Sequence, residues 1–163
     1  MPIYMKFDGV DGSVTETGHS KWIELESCQV GVNRNIGGTR TGSAGNRDAS
    51  VPSLSEVVVS KLQDNSSNKL FQSSLWGEGK LVKIDFCRTE KDKQVTYMQY
   101  ELENTLISNF SMSGHGGEGS QRAMESLALN FTKLTVVNTE TDIAHKGKGP
   151  DRFSFDLATH KGS

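Results

Sequence analysis

The chain has 163 residues, 34% of them hydrophobic, with 17 glycines, 3 prolines and a formal net charge of -2 from 18 basic and 20 acidic side chains. Residues 1-163 are expected to form one domain, and a glycine-rich chain with a thin core fits a mostly β protein better than a helical bundle. The charges are interspersed, with no basic block to track a phosphate backbone and no apolar run of bilayer length, so neither nucleic acid nor membrane insertion is expected.

Ile3, Met5 and Phe7 alternate with Tyr4 and Lys6, the period-two pattern of a half-buried strand. Asp8 to Ser13 is a double turn signal that lacks the later ligands of a calcium loop. The N-terminus MPIYMKFDGV lacks the charged and apolar regions of an export signal. Between Ser20 and Lys61 the chain reads as strand, long loop, strand: KWIELESCQVGV, then NRNIGGTRTGSAGNRDASVP, then SLSEVVVSK. Within the first of these, Ile23 and Leu25 share one parity and Cys28, Val30 and Val32 the other. A bend or bulge near Glu26 and Ser27 is therefore expected, and it leaves Gln29 and Gly31 pointing outward. So long a loop inside a compact domain is commonly functional, and anchored at both ends it suits a contact arm.

Asp64, Asn65 and Ser66 offer N-cap oxygens ahead of Leu70, Phe71, Leu75 and Trp76, and Gly77 suits a left-handed helix end, so one helix is expected here, lying across the sheets. Lys80 to Arg88 alternates Val82, Ile84 and Phe86 against Lys83 and Asp85, and the Glu90–Lys93 run makes a turn. Gln94 to Met112 then carries Met98, Tyr100, Leu102, Leu106, Phe110 and Met112 on one parity, as two strands or as one bent near Asn104. Glu125 to Val136 and Phe153 to Leu157 complete the strands.

The chemistry-bearing residue types do not assemble into a catalytic motif. Gly114 to Gly119 is not followed by the lysine, hydroxyl and helix of a phosphate loop, and reads as a hairpin connection. His19, His115, His145 and His160 are far apart, without metal-ligand spacing, and are expected at the surface. Cys28 and Cys87 lie in apolar strand patterns as reduced thiols, although sequence leaves a bridge between them open. Strand acids such as Glu24, Glu26, Glu101 and Glu103 are expected to be solvated, and the glycosylation-type triplets at Asn65, Asn109 and Asn130 are ascribed to composition. No cofactor, metal or catalytic residue is expected.

Four segments together carry a family resemblance: Met1 to Gly9; Trp22 to Leu25 with the glycine-rich loop and Asn46 to Glu56; Lys69 to Phe71; and Glu125 to Lys133. In this order they resemble the haemolysin-coregulated protein family of type VI secretion. The resemblance implies two sheets packed as a short β-barrel with one helix and a long extended loop, in a homohexameric ring. Stacked rings would form a hollow inner tube inside contractile sheath proteins, tipped by a spike protein and expelled with effectors in its lumen. Such a tube would assemble in the bacterial cytoplasm and then be secreted without a signal peptide. By the same resemblance, 33–50 is the arm between subunits or rings, with Arg34, Arg40, Arg47 and Asp48 as polar hooks, and Gln29 and Gly31 are candidates to face the lumen. For Gln29 an ordinary solvated sheet position stands equally open. Two alternatives remain: a phage-tail-like tube subunit, or a free secreted enzyme or binding domain, the latter disfavoured by a chain ending at Ser163.

Overall fold

The structure, a computed structural model, describes residues 1–36, 51–119, 122–139 and 149–163. The strands run in chain order as Ile3–Phe7 (β1), Ile23–Leu25 (β2), Ser27–Gln29 (β3), Val32–Asn33 (β4), Ser53–Leu54 (β5) and Val57–Leu62 (β6). After the helix Ser67–Trp76 (α1) come Lys80–Glu90 (β7), Lys93–Ser113 (β8), Met124–Asn130 (β9), Lys133–Asn138 (β10), Asp151–Asp156 (β11) and Lys161–Gly162 (β12). Every pairing is antiparallel.

One sheet runs β12-β11-β10-β8-β7-β1-β2, and a second runs β3-β6-β9-β8. Two corners connect them. At the first, the chain leaves its pairing with β1 after Leu25 and by Ser27 pairs with β6, so the bend expected at Glu26 and Ser27 is present. The second lies in β8, whose first half joins β7 and β10 and whose second half joins β9; Asn104 sits between them with φ 51. The ladder does not close into a continuous barrel, so the short barrel expected from the resemblance is two sheets linked by bent strands.

The apolar core fills the space between the sheets. Met5, Phe7, Ile23, Val82, Ile84 and Leu102 enter it from the first sheet, and Val57, Val59, Leu127 and Leu129 from the second. Burying side chains of this size stabilises by roughly 1.5–3 kcal/mol each before chain entropy is counted.

Three sequence expectations change here. Along β8 the buried residues are Leu102 and then Thr105 and Ile107, whereas Leu106 and Met112 are exposed. The left-handed residue Asn104 breaks the alternation, and a register shift between Ile107 and Asn109 breaks it again, so one parity does not run through the strand. Second, α1 buries Leu70 but leaves Phe71, Leu75 and Trp76 open. Its start is organised by Asp64, whose Oδ1 accepts from the Ser66 amide at 2.9 Å, while the Ser66 side chain makes no cap bond to the helix. Third, Gly77 is extended (φ -71, ψ 153) rather than left-handed. It is needed for another reason: a Cβ there would collide with the Ser73 carbonyl, which accepts from the Gly77 amide.

The Glu90–Lys93 turn is tight, with Lys91 and Asp92 both at positive φ, the backbone demanded by a two-residue hairpin of matching twist. Gly114 to Gly119 lies in the connection between the paired strands β8 and β9, as the hairpin reading requires.

Candidate functional site

Two surfaces and two buried clusters carry the polar chemistry. The first surface is the outer face of the second sheet. Ser27, Ser60, Ser126 and Ser111 stand in register across its four strands, and the next row is Gln29, Val58, Ala128 and Asn109. Ser27 and Ser60 are joined through their hydroxyls at 2.6 Å. At one end Glu56 accepts from Ser108 at 2.8 Å and Asn130 at 3.3 Å. The inner partners of these rows, Cys28, Val59, Leu127 and Phe110, face the core, so alternation alone produces an outer face of small, mainly uncharged side chains. Gln29 is exposed and belongs to this face.

The second surface surrounds the base of the long loop. β4 and β5 pinch the loop, with Val32 opposite Leu54 and Asn33 opposite Ser53. Just outside the pinch, the Ser55 hydroxyl accepts from the Gly31 amide at 2.9 Å and donates to its carbonyl at 3.0 Å. Gly31 is half-buried, and its lack of a side chain leaves room for Ser55. Arg34 is exposed at the loop's root. Arg40, Arg47 and Asp48 lie outside the described residues. Beside the pinch runs an apolar groove of about 290 Å³ lined by Val30, Val32, Leu54, Tyr100, Val136 and Phe153.

The buried clusters were not expected. His19 is 6% exposed, whereas His115 and His160 are at the surface and His145 lies outside the described residues. The 11–22 loop folds over the outer face of the first sheet, closed on itself by Gly12 N–H to Lys21 O (2.8 Å) and Lys21 N–H to Val14 O (2.8 Å). It presses His19 between Tyr4, stacked at 4.7 Å, and Trp22, edge-on at 4.8 Å. Its Nδ1 is 2.8 Å from Glu16 and its Nε2 2.9 Å from Asp85. Each ring nitrogen thus faces a carboxylate oxygen, and a nitrogen that carries a proton donates to its partner. Asp85, on the polar parity of β7, is thereby buried, with Gln99 donating a further bond at 2.6 Å. Cys87 Sγ lies 3.8 Å from His19 Nε2, but burial pushes its thiol up, so the pair holds no activated nucleophile. Cys28 and Cys87 are both free, and burial pushes the Cys28 thiol to about 12.

The second cluster joins β6, β9 and α1. Lys61 and Glu125 are both 0% exposed and meet at 2.8 Å, directly opposite each other in the β6–β9 ladder. Asp64 sits 2.9 Å from the same ammonium. Burial raises the Asp64 carboxyl, but hydrogen bonds from Ser66 and Lys61 and the Lys61 charge outweigh it and hold the group below its usual range. Among the described residues no group of three or more His, Cys, Asp or Glu side chains is arranged to hold a metal ion.

The comparisons place this architecture. Residues 4–137 match the family model described as "Type VI secretion system effector, Hcp". A solved structure described as a type six secretion system protein is 25% identical, each chain covers 99% of the other, and the TM-score is 0.89. Hcp1 from Salmonella typhimurium is 20% identical over 99% of this chain and 98% of its own, with a TM-score of 0.75. A chain from the baseplate of the anti-feeding prophage shares the fold at 8% identity, 84% and 91% coverage and a TM-score of 0.55. Among curated proteins, none matches the sequence. The two-sheet architecture with one helix is thus that of type VI secretion proteins. The chain belongs to the Hcp family, a family of structural tube proteins rather than enzymes, secreted by the type VI system.

Proposed function

We propose that this chain, as one domain, is the repeating subunit of the type VI inner tube. It forms homohexameric rings that stack, is surrounded by sheath proteins and tipped by a spike, and is expelled from the bacterial cytoplasm with effectors in the lumen. The family match over residues 4–137 carries the reading. Two surface features support it. Head-to-tail growth of a tube requires two different surfaces on one subunit, and the exposed apolar side chains include two separate pairs: Val32 and Phe153 beside the loop base, and Leu75 and Trp76 on α1. The serine-rich outer face of the second sheet suits a lumen wall, because small uncharged side chains neither trap a passing polypeptide by charge nor offer it a large apolar patch. On this reading Gln29 and Gly31 belong to the wall, and Arg34, Arg40, Arg47 and Asp48 to the arm.

Light scattering and negative-stain imaging of the purified protein test the assembly. Rings of six with an open centre are expected; a strict monomer at high concentration would overturn it. The Gln29→Trp variant tests the wall: it should keep the native mass and impede effector export. Loss of the ring in that variant would instead make this face a contact between subunits.

A further inference from the structure

A pocket of about 360 Å³ opens between α1 and the second half of β8, lined among others by Gln63, Asn68, Phe71, Phe110, Met112 and Glu125. Its two ends differ in chemistry. One is an apolar wall, with the Phe71 and Phe110 rings 5.3 Å apart at 58° and Met112 exposed beside them. The other is the fully buried Glu125, whose Oε2 accepts from Lys61 while its Oε1 has no partner among the described residues. A buried carboxylate oxygen without a donor is rare in folded proteins and calls for an explanation.

Lys61 cannot supply the missing donor. Its ammonium has three protons and already faces Glu125 Oε2 (2.8 Å), Asp64 Oδ1 (2.9 Å), the Leu62 carbonyl (2.8 Å) and the Ser67 hydroxyl (3.3 Å). Within the cluster one buried cation therefore stands against two carboxylates, the next guanidinium, Arg122, being exposed and bonded to the Gln63 carbonyl at 3.2 Å. Such a site disfavours anions. Aromatic faces next to negative charge favour a cation, and the orphan oxygen asks for an N–H.

We propose that this pocket binds an organic ammonium, a primary amine on an apolar stem, whose N–H donates to Glu125 Oε1 while the stem lies against Phe71, Phe110 and Met112. A bound water would satisfy the oxygen but would neither balance the charge nor use the aromatic wall. A metal ion would find one free carboxylate oxygen with only the neutral oxygens of Gln63, Ser67 and Asn68 around it, and among the described residues no group of three acidic, His or Cys ligands is gathered here. The same chemistry is offered by a free amine and by a lysine side chain of a second copy of this chain.

The test uses the full chain with ¹³C-labelled methionine methyls, titrated with benzylammonium chloride and, separately, with benzyl alcohol as the uncharged match. A saturable shift of the Met112 methyl is expected, with Met5 unmoved, and the alcohol is expected to bind about tenfold more weakly or worse. Phe71→Ala, at an exposed position that leaves the core intact, should weaken the amine by a similar factor. Glu125→Gln should abolish the preference for amine over alcohol, provided circular dichroism shows it folded. Equal response to amine and alcohol, or an unchanged response in Phe71→Ala, would overturn the proposal. Light scattering then separates the sources. If a second copy's lysine is the natural occupant, saturating benzylammonium lowers the native mass below that in equal sodium chloride, and if a free amine is, the mass stays constant.

Discussion

His19 shows how a single side chain holds a loop that has little core of its own. The loop contributes two hydrogen-bond contacts to carboxylates and two aromatic contacts through one ring, and one of the carboxylates, Asp85, belongs to β7. Replacing His19 by Ala leaves Asp85 buried with the donors of Gln99 and Thr96 alone. A loss of about 3 kcal/mol is expected in urea denaturation. The acid response has a definite sign. Glu16 is held below its ordinary value of 4.5, first by the Gly18 amide and then by His19, and Asp64 is held below 3.8. Groups depressed in the folded state stabilise it fully above those ordinary values, and the contribution fades as pH falls through the depressed ones. Stability measured against pH should therefore decline on the acid side of about 4.5, and Glu16→Gln with Asp64→Asn should flatten that limb. The thiols give an independent check. With Cys28 pushed to about 12 and Cys87 also raised, neither should react with a thiol reagent at neutral pH until the protein is unfolded.

At the scale of elements, the ladder between β6 and β9 and the corner in β8 decide the shape. Lys61 and Glu125 face inward among valines and leucines, where removing one partner strands the other's charge. Lys61→Met should cost about 3–5 kcal/mol, and adding Glu125→Leu should recover only the part due to Glu125, because Asp64, 2.9 Å from the same ammonium, still loses its cation, read as a double-mutant cycle. The β8 corner depends on Asn104 adopting φ 51. Asn tolerates this conformation and a β-branched residue does not, so Asn104→Val should lose about 1–2 kcal/mol in thermal unfolding while Asn104→Gly stays near wild type. The corner also swaps which parity faces the core, so its loss would misdirect every side chain of the following half-strand.

For the whole molecule, the architecture separates stability from assembly. The core lies between the sheets, and the features suited to contact lie outside it: the apolar groove at the loop base, the open residues of α1 and the serine-rich sheet face. Val32 is 64% exposed, so a charge there has little effect on folding but opposes burial against another subunit. Val32→Glu is expected to leave the circular dichroism and melting temperature unchanged and to reduce the native mass seen by light scattering.

Alternation along the chain was enough to determine that this is an antiparallel β protein, because a half-buried strand must repeat every second residue. It also located the corner at Glu26 and Ser27, where the parity of the apolar residues reverses, and offered Asn104 as one place for β8 to bend. The four ordered segments were enough for the family. Tertiary structure decided which polar residues are buried. Asp85 does point away from the core, as its parity says, but parity names a face and does not tell whether a loop 66 residues away in sequence covers it, as His19 does. Lys61 and Glu125 did carry a local signal, each occupying an inward position in a strand otherwise apolar there. That one neutralises the other across 64 residues followed only from strand register. The helix failed in the opposite sense: its apolar residues read as inward, and only the packing against β8 showed that Leu70 alone is fully covered. Periodicity is a property of one segment, whereas burial belongs to the pair of surfaces that meet.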